Sequence, residues 1–303
     1  MKRDFFKRCM TSEDWWLAAC LVLMLLTAGV LIGINAFLFR YTGISYLPRQ
    51  GVALIFPALE FVAFGLYTRD SSPRAAFIAR NGAFYLLMAA ATSLLTTGIQ
   101  YTPFREIDPL LAGWDRALNV DVIGLMAWTY AHRPLPLLLD ACYSALNAEL
   151  ILLPLGALCF QDHRRTRIYL YSVMYSSFAG SLFYYFFPSS GPASLLQSPY
   201  FSAEQHLTSL KFYEVHHFQE VTTLFGGMVA FPSFHVVWAI LLTYAASARK
   251  WLLYPVALLN AFVILSTVLL GWHFAVDVLA SALLAAGSWF AAARTHEWLC
   301  RRA

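Results

Sequence analysis

Eight apolar stretches, each near the length that crosses a bilayer, follow one another at about 15–39, 51–68, 77–99, 135–159, 168–187, 230–248, 251–270 and 273–293. A helix rises about 1.5 Å per residue and the hydrocarbon core is about 30 Å thick, so roughly 20 residues suffice. Backbone polar groups facing lipid must be satisfied within their own segment, which makes these stretches helices. Composition agrees, at 59% hydrophobic and 13% charged, where a soluble domain carries about 25% charged residues. The expectation is an all-α, polytopic transmembrane helical bundle of about eight spans.

Charge placement orients it. With the N-terminus in the cytoplasm, the inward segments hold Lys2, Arg3, Lys7, Arg8, Arg69, Arg74, Arg80, Arg164, Arg165, Arg167, Arg249, Lys250, Arg294, Arg301 and Arg302. The outward segments hold only Arg40, Arg49, Arg105, Arg116, Arg133 and Lys211. That is the positive-inside pattern, and it predicts both termini in the cytoplasm. The apolar run from Trp15 is too long for a signal peptide and reads as a retained first helix. The five cysteines are scattered without a Cys-x-x-Cys pair, so neither a disulfide framework nor a zinc site is expected. No Lys/Arg block with interleaved aromatics suggests nucleic-acid binding.

Two outward segments are long. The first, about 100–134, carries Trp114-Asp115-Arg116, which is either part of a site or a surface turn. Its apolar piece at 120–130 is short for a span and reads as an interfacial or re-entrant helix. The second, about 188–230, opens on the helix stop Pro188-Ser189-Ser190-Gly191-Pro192. It carries Glu204, His206, Lys211, Glu214, His216, His217 and Glu220, as a lid or headgroup surface would. His216 and His217 are neighbours, which do not share a helix face, so no metal is expected there. Glu60, Asp140 and Glu149 fall within spans, where charge is expected to face the bundle interior or a wet cavity.

Two polar islands stand out in the last third: Phe231-Pro232-Ser233-Phe234-His235, and Ser266-Thr267 followed by Gly271-Trp272-His273 and Asp277. A hydrophobic hairpin separates them, crossing and returning, so His235, His273 and Asp277 should meet at the outer face. His273 and Asp277 are four apart and share a helix face. Asp277 can hold one imidazole nitrogen and leave the other lone pair for substrate, which makes His273 the nucleophile. His235 then acts as general acid for the leaving alcohol and as base toward the acceptor. Pro232 suits a first helical turn and Ser233 its N-cap, with exposed N–H groups and the Ser233 hydroxyl ready for a phosphate oxygen. The scheme calls for no cofactor and no metal.

These motifs resemble those of the type 2 phosphatidic acid phosphatase (PAP2) superfamily. The closer likeness is to its inositolphosphotransferase-like branch, which includes inositol phosphorylceramide synthase and is related to sphingomyelin synthases. That branch carries Phe-Pro-Ser-x-His, matched by Phe231, Pro232, Ser233 and His235. It also carries Ser-Thr-x-x-x-Gly-x-His-x-x-x-Asp, matched by Ser266, Thr267, Gly271, His273 and Asp277. The resemblance implies a six-helix catalytic core, here at 77–303 behind an N-terminal region at 1–76 with two extra spans. It also implies attack on phosphorus by His273, support by Asp277 and proton handling by His235.

The phosphatase branch has Ser-Arg where this chain has Ser266-Thr267, and its Lys-x6-Arg-Pro element is incomplete, since Met126 precedes Arg133-Pro134 by seven positions. The phosphate charge must be met by other cations, with Lys211, Arg116 and Arg133 as candidates beside Arg105. This favours a lipid phosphotransferase, moving a phosphate-bearing headgroup from a phospholipid donor to a lipid or polyol acceptor. A lipid or polyprenyl phosphate phosphatase and a non-enzymatic lipid transporter or binding protein are the alternatives. A bacterial inner membrane, with the site facing the periplasm or exterior, is the expected location.

Overall fold

The computed structural model describes residues 10–41, 48–160, 162–223, 227 and 229–302. The four N-terminal basic residues of the charge argument, Lys2, Arg3, Lys7 and Arg8, lie outside them. The protein is all-α. In order, the helices are α1 (Ser12–Gly33, continued by a π-helical turn at Ile34–Phe39), α2 (Arg49–Ala53), α3 (Ile55–Thr68), α4 (Pro73–Ile99), α5 (Asp108–Ala117), α6 (Val122–Ala131), α7 (Pro134–Ala157), α8 (His163–Phe186), the single turn α9 (Pro192–Leu195), α10 (Ala203–His216), α11 (Phe234–Ala246), α12 (Lys250–Leu269) and α13 (Ala275–Cys300).

Local chemistry sets the starts. Thr11 and Asp14 cap α1 reciprocally, each side chain bonding the other's backbone N–H. Ser72 caps α4 with Pro73 in its first turn, Asp162 caps α8, and Ser202 caps α10 in a box with Gln205. The end of α8 at Phe186 precedes the Pro188–Pro192 stop.

Among the described residues, six helices are long and apolar enough to cross a membrane: Ser12–Phe39, Gly51–Thr68, Pro73–Ile99, Pro134–Ala157, Lys250–Leu269 and Ala275–Cys300. They make this an integral-membrane bundle. The other two expected spans fall short for different reasons. α8 has 24 residues but is polar, with Arg164, Arg165 and Arg167 near its start. It has protein around it, packed by α13, α4, α11 and α1, and a helix walled by protein needs no lipid-compatible surface. α11 has 13 residues, because the chain before Phe234 is spent on a non-helical approach through the cis Phe231–Pro232 peptide.

The interior of α8 is held by large buried side chains. Tyr171 and Tyr184 are fully enclosed. The Tyr175 hydroxyl accepts from the Trp16 indole at 2.7 Å and donates to Thr295 at 3.0 Å, tying α1, α8 and α13 together. Arg167 is 0% exposed and pairs with Asp14 at 2.5 Å, with Arg80 on the same carboxylate at 3.4 Å.

Both long segments expected to face outward contain helices. The 100–134 stretch forms α5 and α6, and the ten residues of α6 are too few to span. The 188–230 stretch, expected as a lid or headgroup surface, holds α9 and the 14-residue α10. Glu60 does not face the bundle interior as expected. It is exposed on α3, among the exposed Phe56, Leu59 and Phe64.

Candidate active site

The two polar islands meet. His273 lies just before α13 and Asp277 in its first turn, while Ser233 immediately precedes α11 and His235 lies in its first turn. The Ser233 Oγ is 3.0 Å from His273 Nε2. His273 Nδ1 is 3.4 Å from Asp277 Oδ2. The His235 and His273 rings are 6.3 Å apart, centre to centre. Ser233 and Asp277 are wholly buried and His273 nearly so, while His235 is partly exposed.

Ser233 departs from the capping role expected of it. It occupies the N-cap position of α11, but its hydroxyl makes no cap bond and turns to His273 instead. Its backbone N–H donates to Ser281 Oγ at 2.7 Å, and Ser281 donates to the Asp277 carbonyl at 2.5 Å. These two bonds lock the start of α11 onto α13. The first-turn N–H groups of Phe234, His235 and Val236 precede the first intrahelical bond, from Val237 N–H to Ser233 O, and so have no intrahelical acceptor.

The matching groups on α13 are already used. Phe274 N–H donates to Asp277 Oδ2 at 3.0 Å. Ala275 and Val276 N–H each donate to the Asp115 carboxylate at 2.9 Å. Asp115 is 2% exposed, which corrects the surface-turn alternative: the aspartate is an interior brace, while Trp114 and Arg116 on either side of it are exposed.

Asp108, at the other end of α5, braces the opposite wall. Its carboxylate accepts from Ser189 Oγ at 2.5 Å, Ser190 N–H at 3.1 Å and Gly191 N–H at 3.2 Å, with Ser190 and Ser194 hydroxyls at 3.3 and 3.2 Å. Burial pushes this carboxyl above its usual range, and the donors pull it back toward the charged form. The turn it holds touches both islands. Ala230 N–H donates to Ser189 O at 3.2 Å. Gly191 adopts φ +92°, and a Cβ there would lie 2.7 Å from the Trp272 carbonyl oxygen, so only glycine fits.

Tyr143 of α7 completes the wall. Its ring stacks on His235 at 4.1 Å and 14°, and on Trp272 at 5.3 Å and 6°. Its hydroxyl is 3.4 Å from His235 Nδ1. The stack fixes the plane of His235, which is tilted 55° from that of the His273 ring.

A family model described as PAP2 superfamily matches residues 109–291. The chain belongs to the PAP2 superfamily. The match takes in Asp115, Tyr143, Ser233, His235, His273 and Asp277, and it does not select the inositolphosphotransferase-like branch. No curated protein and no solved structure matches the chain.

In this PAP2 protein the basic residues expected to bind phosphate lie on α5 (Arg116), just before α7 (Arg133) and on α10 (Lys211). Arg116 and Arg133 are exposed, and neither makes an ion pair or hydrogen bond with His235, His273 or Asp277 among the described residues. Lys211 stands partly buried on α10, where burial pulls its ammonium below the usual lysine range. That helix is anchored by Gln205, which donates to the Leu270 carbonyl at 3.0 Å. Ser266 and Thr267 are fully buried and donate to the Val263 and Ile264 carbonyls of their own helix. Thr267 therefore offers substrate nothing in place of arginine. Asp140 is exposed on α7, three residues before Tyr143.

Sequence reasoning missed Asp108 and Tyr143. Asp108 did leave a signal, since it and Asp115 are seven apart, two helical turns, and so fall on one face of a short helix. Tyr143 left none among so many aromatics.

Proposed function

We propose that the protein cleaves the phosphoester bond of a lipid phosphate at His273, with water as acceptor. The observation that carries this reading is the convergence of Ser233 Oγ and Asp277 on the two nitrogens of one imidazole, at 3.0 and 3.4 Å, with His235 beside it. His273 Nε2 attacks phosphorus while Nδ1–H faces Asp277, which stabilises the charge gained by the ring. His235 gives its proton to the departing lipid alcohol, then takes one from the incoming water. The water oxygen displaces the histidine from phosphorus, leaving free phosphate and restoring both rings. The N–H groups of Phe234, His235 and Val236, which have no intrahelical acceptor, with the Ser233 hydroxyl, supply donors for phosphate oxygens. Lys211, Arg116 and Arg133 add long-range positive charge.

A second reading puts an alcohol-bearing lipid in place of water, making the protein a phosphotransferase. Thr267, standing where the phosphatase branch has arginine and with its hydroxyl turned back onto its own helix, favours it. In either reading the topology we propose has eight spans and cytoplasmic termini. Two N-terminal spans precede a catalytic core at 77–303, and the site opens outward, on the periplasmic or exterior side of a bacterial inner membrane.

The test is purified protein in lipid vesicles given lipid phosphates labelled at phosphorus, with and without alcohol-bearing lipids, and His273→Ala run in parallel. Soluble labelled phosphate, lost in the variant, supports hydrolysis. Label in a new lipid, lost in the variant, supports transfer. Label moving equally in the variant refutes both readings.

A further inference from the structure

A second cluster of titratable side chains sits far from the phosphoester site. His296 lies on α13 about 29 Å beyond Asp277, at about 1.5 Å per residue. Its Nδ1 is 2.7 Å from Glu13 Oε1. The other Glu13 oxygen, Oε2, is 3.1 Å from His163 Nε2. One helical turn past His296, the Cys300 sulfur lies 3.9 Å from Nδ1 and 3.7 Å from Nε2 of the same imidazole. One ligand atom from each of Glu13, His296 and Cys300 falls within 4.8 Å of the others. Glu13 and His296 are 6% and 7% exposed, while Cys300 is open to solvent.

Oxygen, nitrogen and sulfur together are the donor set of zinc, whereas calcium and magnesium take oxygen. Metal–ligand bonds of about 2.0–2.3 Å in a tetrahedron put ligand atoms about 3.3–3.6 Å apart. The observed 2.7 Å on the glutamate side and 3.9 Å on the sulfur side straddle that spacing, so small side-chain rotations reach it. A carboxylate and a thiolate match the charge of a divalent ion. His163 stands 3.1 Å from the far oxygen of Glu13, with its ring 6.1 Å from that of His296, so it needs a side-chain rotation to become a fourth donor.

We propose that Glu13, His296 and Cys300 form a binding site for a zinc-class divalent cation, with His163 as the fourth ligand. On binding, the Cys300 thiol releases its proton to solvent. The proton that His296 Nδ1 donates to Glu13 passes through solvent to Nε2, which frees the Nδ1 lone pair and the Glu13 oxygen for the ion. The exposed Cys300 provides the way in. The ion ties the start of α1, the start of α8 and the end of α13 into one junction. Cysteine spacing gave no hint of it because the ligands come from opposite ends of the chain, Glu13 and His296 being 283 positions apart.

The test uses full-length, tag-free protein stripped with chelator and dialysed against stoichiometric Co2+ or Zn2+. The readouts are bound metal per chain and the near-ultraviolet thiolate-to-cobalt absorption. The expected result is about one equivalent bound with a thiolate band. Cys300→Ser, at an exposed position that leaves the fold intact, should lose the band and at least ten-fold in affinity. His296→Gln should lose retention as well, and Cys300→Ser should leave phosphoester turnover unchanged. Failure of the wild-type chain to retain either ion overturns the proposal, as does equal retention with an unchanged band in Cys300→Ser. None of these outcomes depends on what the His273 site does.

Discussion

Asp115 is the most informative residue to perturb, because it acts on the site without belonging to its chemistry. It accepts two backbone N–H bonds at 2.9 Å each, from the first turn of the helix that carries Asp277. A hydrogen bond to a charged acceptor contributes about 1.5–3 kcal/mol, so losing both in Asp115→Ala costs roughly 3–6 kcal/mol before relaxation. At 2% exposure, bulk water does not readily replace the carboxylate. Asp115→Asn keeps one acceptor oxygen but turns an NH2 toward the second N–H, so it should cost about half as much. The freed N-terminus of α13 then shifts His273 against Ser233, and a displacement near 1 Å costs about 100-fold in turnover. Thermal unfolding in detergent and phosphate release, measured on both variants, should therefore rank wild type, then Asn, then Ala in both assays. If Asp115→Ala unfolds at the wild-type midpoint and turns over within three-fold of wild type, the bracing argument is wrong.

Tyr143→Phe keeps the stack between His235 and Trp272 and should lower kcat only a few-fold. Tyr143→Ala removes two aromatic contacts of about 0.5–1.5 kcal/mol each and should lower kcat about 10- to 100-fold, read from steady-state kinetics. Arg167→Met breaks a wholly buried ion pair and should destabilise the bundle by about 3–5 kcal/mol, seen as a lower denaturation midpoint. Gly191→Ala forces a side chain into a positive-φ turn and against the Trp272 carbonyl. It should cost at least about 1 kcal/mol and reduce turnover, measured by the same two assays. His273→Ala should abolish turnover while leaving the unfolding midpoint within a few degrees, checked side by side with wild type.

The pairing of His235 with His273 was legible because it rests on hydropathy: an apolar hairpin of bilayer length must return its ends to one side. Six of the eight predicted spans are long and apolar enough to cross. α8 and α11 blurred the pattern, one because protein replaces lipid around it, the other because Phe231–Ser233 leave the helix to aim the Ser233 hydroxyl. Hydropathy has no way to report either. The direction of Ser233 was misjudged for a related reason, since a serine before a helix usually caps it, and here a buried imidazole competes successfully for the hydroxyl. Asp108 and Asp115 act across 81 and 160 positions of sequence, on Ser189 and on Ala275. Bonds of that range leave no periodic trace, only two carboxylates in apolar surroundings. The scattered basic residues carried the least information, because a cation's place on the chain says little about where a long side chain ends.

The central claim is that phosphorus passes through His273. Rapid acid-free denaturation of the enzyme during turnover of a phosphorus-labelled lipid, followed by peptide mapping, tests it directly. The account predicts an acid-labile, base-stable label on the peptide bearing His273, absent in His273→Ala and longer-lived in His235→Ala, where the acceptor goes unactivated. Full turnover by His273→Ala, or a label trapped on another side chain, would contradict it.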